Sequence, residues 1–85
     1  MKLIFCPHCQ DVVKIRRDPR RCWCGKSGGL YKEDGLNAII YGDAIPLGFL
    51  NSTFSKALKE RPFSGAGTEF KAFVIPHVCF TINKE

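Results

Sequence analysis

Four of the five cysteines in this chain fall into two close pairs, Cys6 with Cys9 and Cys22 with Cys24, all within the first 24 residues. A disulfide inside either pair would close a very small loop and constrain the unfolded chain little, whereas metal ligation uses close pairs naturally. Twelve residues lie between Cys9 and Cys22, enough for the chain to turn back and bring the second pair to the first. At 85 residues, apolar burial barely offsets the chain entropy lost on folding, so a cross-link of this kind matters to the fold. The spacing therefore predicts a tetrahedral site of four thiolates for zinc, with iron an alternative occupant of the same donor set. His8, between two of the ligands, is the alternative donor in place of Cys24. A closed set of four thiolates leaves no open position for water or substrate, so the expected role is structural and not catalytic.

The two pairs sit in the motifs Cys6-Pro7-His8-Cys9 and Cys22-Trp23-Cys24-Gly25. These resemble the two knuckles of the zinc-ribbon family, over about the first third of the chain. The family's second knuckle places two residues between its cysteines and this chain places one, which changes the turn there. The resemblance implies a structural zinc whose sulfurs receive backbone N–H groups, and a glycine directly after the last cysteine suits such a turn. The chain as a whole is similar to small bacterial and phage proteins that carry a ribbon and little else.

The formal charge of +5 is unevenly placed. Lys14, Arg16, Arg17, Arg20, Arg21 and Lys26 face one acid, Asp18, between Val12 and Lys26, and the rest of the chain is neutral on balance. With 45% hydrophobic and 12% aromatic residues the composition is that of a globular chain. The N-terminus reaches Cys6-Pro7 after three apolar residues, too few for a signal peptide or a membrane span. The expected setting is a reducing cytoplasm, where paired cysteines bind metal more often than they form disulfides.

The remaining pattern predicts an α+β fold: one 1–85 domain in which a small zinc ribbon over 1–33 runs into an α+β extension over 34–85. Lys2–Phe5 reads as a strand, and Val12–Arg17 as another with Val13 and Ile15 on one face and Lys14 and Arg16 on the other. Asp18-Pro19 turns the chain and Arg20–Trp23 returns it, so the basic residues would line both arms of a hairpin. Gly25-Lys26-Ser27-Gly28-Gly29 reads as a flexible turn. Asp34-Gly35, between Leu30–Glu33 and Leu36–Tyr41, predicts a type I′ hairpin. Gly42-Asp43 is a further turn, and Ala44–Leu50, with Pro46 and Gly48, reads as an edge strand or packed loop. A helix is expected over Ser52–Arg61, capped by Asn51 or Ser52 and stopped by Pro62, with Phe54, Ala57 and Leu58 packed on an antiparallel sheet. Phe70–Ile75 predicts a last strand, with His77–Ile82 continuing after a bend.

Two functional surfaces emerge. Lys14, Arg16, Arg17, Arg20 and Arg21 are candidate phosphate contacts and Trp23 a candidate stacking partner for a base, which points to nucleic acid. The bland reading of the same charges is a solvated face that also offsets the negative charge of a zinc-tetrathiolate centre. The alternative function is a protein-interaction adaptor or inhibitor, using the apolar stretch from Ile45 to Phe49 and the neighbouring helix, residues 45–58. A small-molecule site built on Tyr41, Asp43, His77 and Cys79 is the weakest pattern, since residues two apart on a strand share a face without guaranteed contact. No enzymatic activity, small-molecule substrate or membrane partner is expected.

Overall fold

Alternation of apolar and polar side chains decides which way the first strands face. The computed structural model describes residues 1–85. In it β1 (Lys2–Phe5) pairs antiparallel with β2 (Val12–Lys14), Ile4 lying opposite Val13. Val13 and Ile15 are buried while Lys14 and Arg16 are exposed, as the alternation predicts. β3 (Arg20–Arg21), β4 (Gly28–Tyr31), β5 (Ala38–Tyr41) and β6 (Ile45–Phe49) follow, then α1 (Asn51–Lys59), β7 (Ala72–Val74) and β8 (Ile82–Lys84).

These strands form two four-stranded sheets, in the orders β2-β1-β6-β7 and β3-β4-β5-β8. Both combine strands from before and after residue 33. All pairs are antiparallel except β5 with β8, which run parallel. The structure thus corrects the expectation of one sheet beneath a helix. It also corrects the basic hairpin: β2 joins one sheet through β1, and β3 joins the other through β4, so its two arms do not pair with each other. The bend at Arg17-Asp18 carries the chain between sheets, and the bond from the Tyr31 N–H to the Arg16 carbonyl, 2.7 Å, ties them together.

One core joins the sheets: Ile4, Val13, Ile15, Ala38, Ile40 and Ala44 pack with Cys6 and Cys22. Each of these side chains is small or β-branched and stands off a strand or its flank, so both sheets bury one face. Two of the metal-ligand candidates, Cys6 and Cys22, therefore belong to the core, and Cys9 packs against it.

Three local expectations change for identifiable reasons. Gly28 and Gly29 are buried strand residues and not part of a flexible turn, because the Tyr41 ring crosses directly over Gly28. A Cβ built at Gly28 would lie 2.3 Å from that ring and 2.5 Å from the Arg20 carbonyl oxygen. The Asp34-Gly35 hairpin forms, but its loop runs from Lys32 to Asn37 and is not a two-residue turn. There the Asp34 carboxylate accepts the N–H groups of Leu36 and Asn37, both at 2.9 Å, which holds its pKa down at about 2. Third, β6 is an interior strand between β1 and β7 and not an edge. Pro46 is tolerated because its position opposes Ile75, just past the last residue of β7. Its carbonyl accepts the Ile75 N–H at 2.9 Å, and only one ladder bond is lost there.

The helix begins at Asn51, with Leu50 in the cap position and no side-chain cap. Asn51 does not cap; its side chain receives the Met1 amino group at 2.9 Å. Phe54 anchors the helix to Phe49 of β6 and to Phe70, with ring centroids 5.2 and 4.7 Å away. Ala57 is its one buried residue and Leu58 is exposed, so the helix is held at one end of its sheet by an aromatic trio and does not blanket a face. No helix is long and apolar enough to cross a membrane.

Candidate metal centre

Both cysteine pairs occupy tight turns at the end of the core. In the first, Cys6 ends just past β1 and the Gln10 N–H returns to the Cys6 carbonyl at 2.7 Å, with Gln10 in the left-handed region at φ 61°. In the second, the Gly25 N–H bonds the Cys22 carbonyl at 3.1 Å, and Gly25 has φ 80°. The residue after each pair thus takes the same backbone conformation; glycine adopts it freely, glutamine at some cost.

The four sulfurs of Cys6, Cys9, Cys22 and Cys24 all lie within 4.8 Å of one another. Cys24 Sγ is 3.7 Å from Cys6 Sγ and 3.5 Å from Cys22 Sγ. A tetrahedron with metal–sulfur bonds of about 2.3 Å has edges of about 3.8 Å, so the donor set fits a single tetrahedral ion. All five cysteines are free thiols. These four are arranged to hold a metal ion in a zinc-knuckle-like cluster, and the single residue between Cys22 and Cys24 does not prevent it. His8 is outside the set: its Nε2 lies 2.6 Å from Asp43 Oδ2, at the surface.

The electrostatics favour a cation at the centre. Burial pushes the Cys6 thiol up, but hydrogen bonds from the Ser27 hydroxyl and from the Cys9 and His8 backbone more than offset this, lowering it to about 6. Cys24 goes the other way. The Lys26 backbone lowers its pKa, yet desolvation and the neighbouring sulfurs of Cys22, Cys9 and Cys6 raise it to about 12. Four sulfurs this close cannot all ionise against one another, and a divalent ion removes the conflict by binding every thiolate.

Two further residues, not foreseen from the sequence, complete the centre. Ser27 is fully buried; its hydroxyl donates to Cys6 Sγ and its N–H to Cys22 Sγ, each at 3.4 Å. Asp11 joins the turns: its carbonyl accepts the Cys6 N–H at 3.0 Å, and its carboxylate accepts the Trp23 N–H at 2.8 Å. Their sequence signals were slight. Ser27 is a small hydroxyl residue in what reads as a glycine turn, and Asp11 simply follows the first pair.

The basic residues are divided. Lys14 is exposed on β2, and Arg16 lies 3.8 Å from Asp18 with both side chains largely exposed. Arg17 is exposed and extends toward Gly35 in the β4–β5 loop. Arg20 is half-buried, and its carbonyl accepts the Tyr41 hydroxyl at 3.4 Å. Arg21 is held at the second turn: its guanidinium lies 4.8 Å from the Tyr41 ring centroid and donates to the Gly25 carbonyl at 3.0 Å. Trp23, between two ligands, is 87% exposed.

The small-molecule pattern does not converge. Tyr41 bonds the Arg20 carbonyl and Asp43 bonds His8. His77 borders a cleft of about 340 Å³ with Ile75, Ile82 and Lys84, whereas Cys79 faces a different one beside Met1 and Phe73. Comparison with protein-family models, with curated proteins and with solved structures finds no match to this chain.

Proposed function

We propose that this chain is a non-enzymatic binding module of the zinc-ribbon kind, in which zinc at Cys6, Cys9, Cys22 and Cys24 organises a basic surface for nucleic acid. Zinc suits four clustered thiolates, two buried, one half-buried and that of Cys24 exposed, since four sulfurs fill its tetrahedral coordination, and its contribution would be structural. Free thiols also suit a reducing compartment such as the cytoplasm. The observation that carries the reading is the second cysteine turn. It holds the Arg21 guanidinium in place on Tyr41 and the Gly25 carbonyl while leaving Trp23, two residues further along the chain, exposed. A guanidinium has five N–H donors, so Arg21 retains donors for a phosphate after giving one to Gly25.

Salt dependence tests this. If Arg16, Arg17, Arg20 and Arg21 each neutralise one phosphate, a fourfold rise in salt should weaken binding by about 50-fold for a single strand and about 150-fold for a duplex. Arg20→Glu with Arg21→Glu should abolish binding while the protein stays folded. Binding that ignores salt, or survives the double reversal, would contradict the proposal.

A second reading, protein interaction, has its own support. Ile45, Leu50 and Leu58 of the 45–58 surface are exposed, although Pro46 and Gly48 are buried and Leu47 and Phe49 half-buried. More apolar surface lies further on, at Phe63, Phe73, Val74, Val78 and Phe80. Exposed apolar side chains favour an interaction site where they adjoin one another, as Phe73 and Val74 do along β7. Light scattering that shows a monomer at high concentration, together with unchanged solubility for Phe73→Ser with Phe80→Ser, would remove its support.

A further inference from the structure

From the placement of Trp23 we infer that the nucleic acid recognised is single-stranded, with an unpaired base stacked on the Trp23 indole and the adjoining phosphate held at Arg21. This rests on the nucleic-acid reading above and specifies its substrate.

Tryptophan is highly buried on average, and the exposure of this one departs from that pattern. Its backbone, by contrast, is closely held. Trp23 stands between the metal-ligand candidates Cys22 and Cys24, and its N–H is bound by the Asp11 carboxylate at 2.8 Å. An indole on so constrained a backbone has few degrees of freedom left to lose when a planar partner settles on it.

The charges beside it fit a strand's backbone. Arg21 precedes the first ligand of this turn and reaches back to the Gly25 carbonyl just beyond the second, so its guanidinium lies at the same turn that displays Trp23. The Tyr41 ring supports it from beneath and itself rests on Gly28. Lys26, exposed, adds a second cation from the same turn. An aromatic platform with adjacent cations is the arrangement that binds single strands: each base offers a π-face and each nucleotide a phosphate. In a duplex the base faces are already stacked on one another, so a stacking indole has access only to unpaired bases, frayed ends or loops. The tip of an adaptor's hot spot also employs exposed tryptophan, but such sites are surrounded by apolar contacts that exclude water, whereas the chain neighbours of Trp23 in this turn include the cations Arg21 and Lys26.

Trp23 is the single tryptophan of the chain, so its fluorescence reports on this contact alone. Zinc-loaded protein should be titrated with short oligothymidylate and oligouridylate, and with a blunt duplex of equal length, at low and high salt. Single strands of either sugar should quench Trp23, and the tighter of the two identifies DNA or RNA as the better ligand. The duplex should bind more weakly and leave the emission largely unchanged. Trp23→Ala should weaken single-strand binding about 5- to 150-fold, the range found for losing one base–aromatic stack, with Trp23→Phe recovering part of it. Because the side chain is exposed, both variants should retain one zinc per chain. Single-strand binding with unchanged Trp23 emission, or Trp23→Ala within twofold of the parent, would overturn the stacking inference and leave the electrostatic reading standing. Absence of binding to every oligonucleotide at low salt would overturn both.

Discussion

Ser27→Ala isolates the contribution of a single hydroxyl to the metal centre. Ser27 is completely buried, its hydroxyl lies 3.4 Å from Cys6 Sγ, and alanine removes that donor without adding volume. The backbone bonds of the same residue, from its N–H to Cys22 Sγ and from the Cys22 N–H to its carbonyl, do not depend on the side chain and should persist. A hydrogen bond to a charged acceptor contributes about 1.5–3 kcal/mol, and the 3.4 Å separation places this one at the lower end. Loss of about 1.5 kcal/mol corresponds to a roughly tenfold weaker metal site, within the about 10- to 100-fold range for groups that support metal ligands. Competition for zinc against a chromophoric chelator of known affinity, at fixed pH, would read the change. Because the hydroxyl also lowers the Cys6 pKa, protons should compete for that thiolate at higher pH in the variant, and the affinity difference should widen as the buffer is acidified. An affinity within twofold of the parent across that range would refute the assigned role of Ser27.

Other substitutions separate the remaining contacts. Cys24→Ser should remove a ligand and weaken zinc binding far more than Ser27→Ala does, whereas Cys79→Ser, outside the cluster, should leave metal affinity unchanged in the same competition assay. Gly28→Ala forces a methyl group against both the Tyr41 ring and the Arg20 carbonyl and should cost about 1–3 kcal/mol in denaturant unfolding; a loss below about 0.5 kcal/mol would mean that the ring and the β3 backbone both yield readily. Asp34 has a folded pKa of about 2 against an ordinary 3.8, so its stabilising effect is complete above the ordinary value and is lost as pH falls toward 2. Asp34→Ala should therefore lower stability at neutral pH and flatten the acid limb between those values, seen by thermal melts across pH; a parallel downward shift at all pH values would contradict this.

What could be read from the sequence was what depends on neighbours along the chain. Alternation at Val13 and Ile15 placed one strand face, the turn residues Asp34-Gly35 located a hairpin, and the cysteine spacing picked out the four sulfurs that the fold brings together. Long-range pairing left no comparable trace. Nothing local in Arg20-Arg21 distinguishes pairing with β2 from pairing with Gly28-Gly29, and the two glycines resemble a loop until the Tyr41 ring that covers them is in view. The parallel strand Ile82–Lys84 is short, polar at two of three positions, and joins β5 from the far end of the chain. Pro46 argued for an edge, yet the ladder ends at the one bond it cannot make. Ser27 and Asp11 escaped notice because hydrogen bonding to sulfur and to a turn's N–H is available to many polar residues; only the fold selects which ones do it.

Thiol counting on the purified protein, paired with elemental analysis, examines the metal centre itself. With zinc bound, one equivalent per chain should accompany a single reactive thiol, that of Cys79, and removal of the metal by a strong chelator should expose all five and loosen the two cysteine turns. Five thiols reacting before chelation, no metal in the purified chain, and a circular dichroism spectrum that chelation leaves untouched would show that the fold stands without an ion and that the four sulfurs are merely packed together.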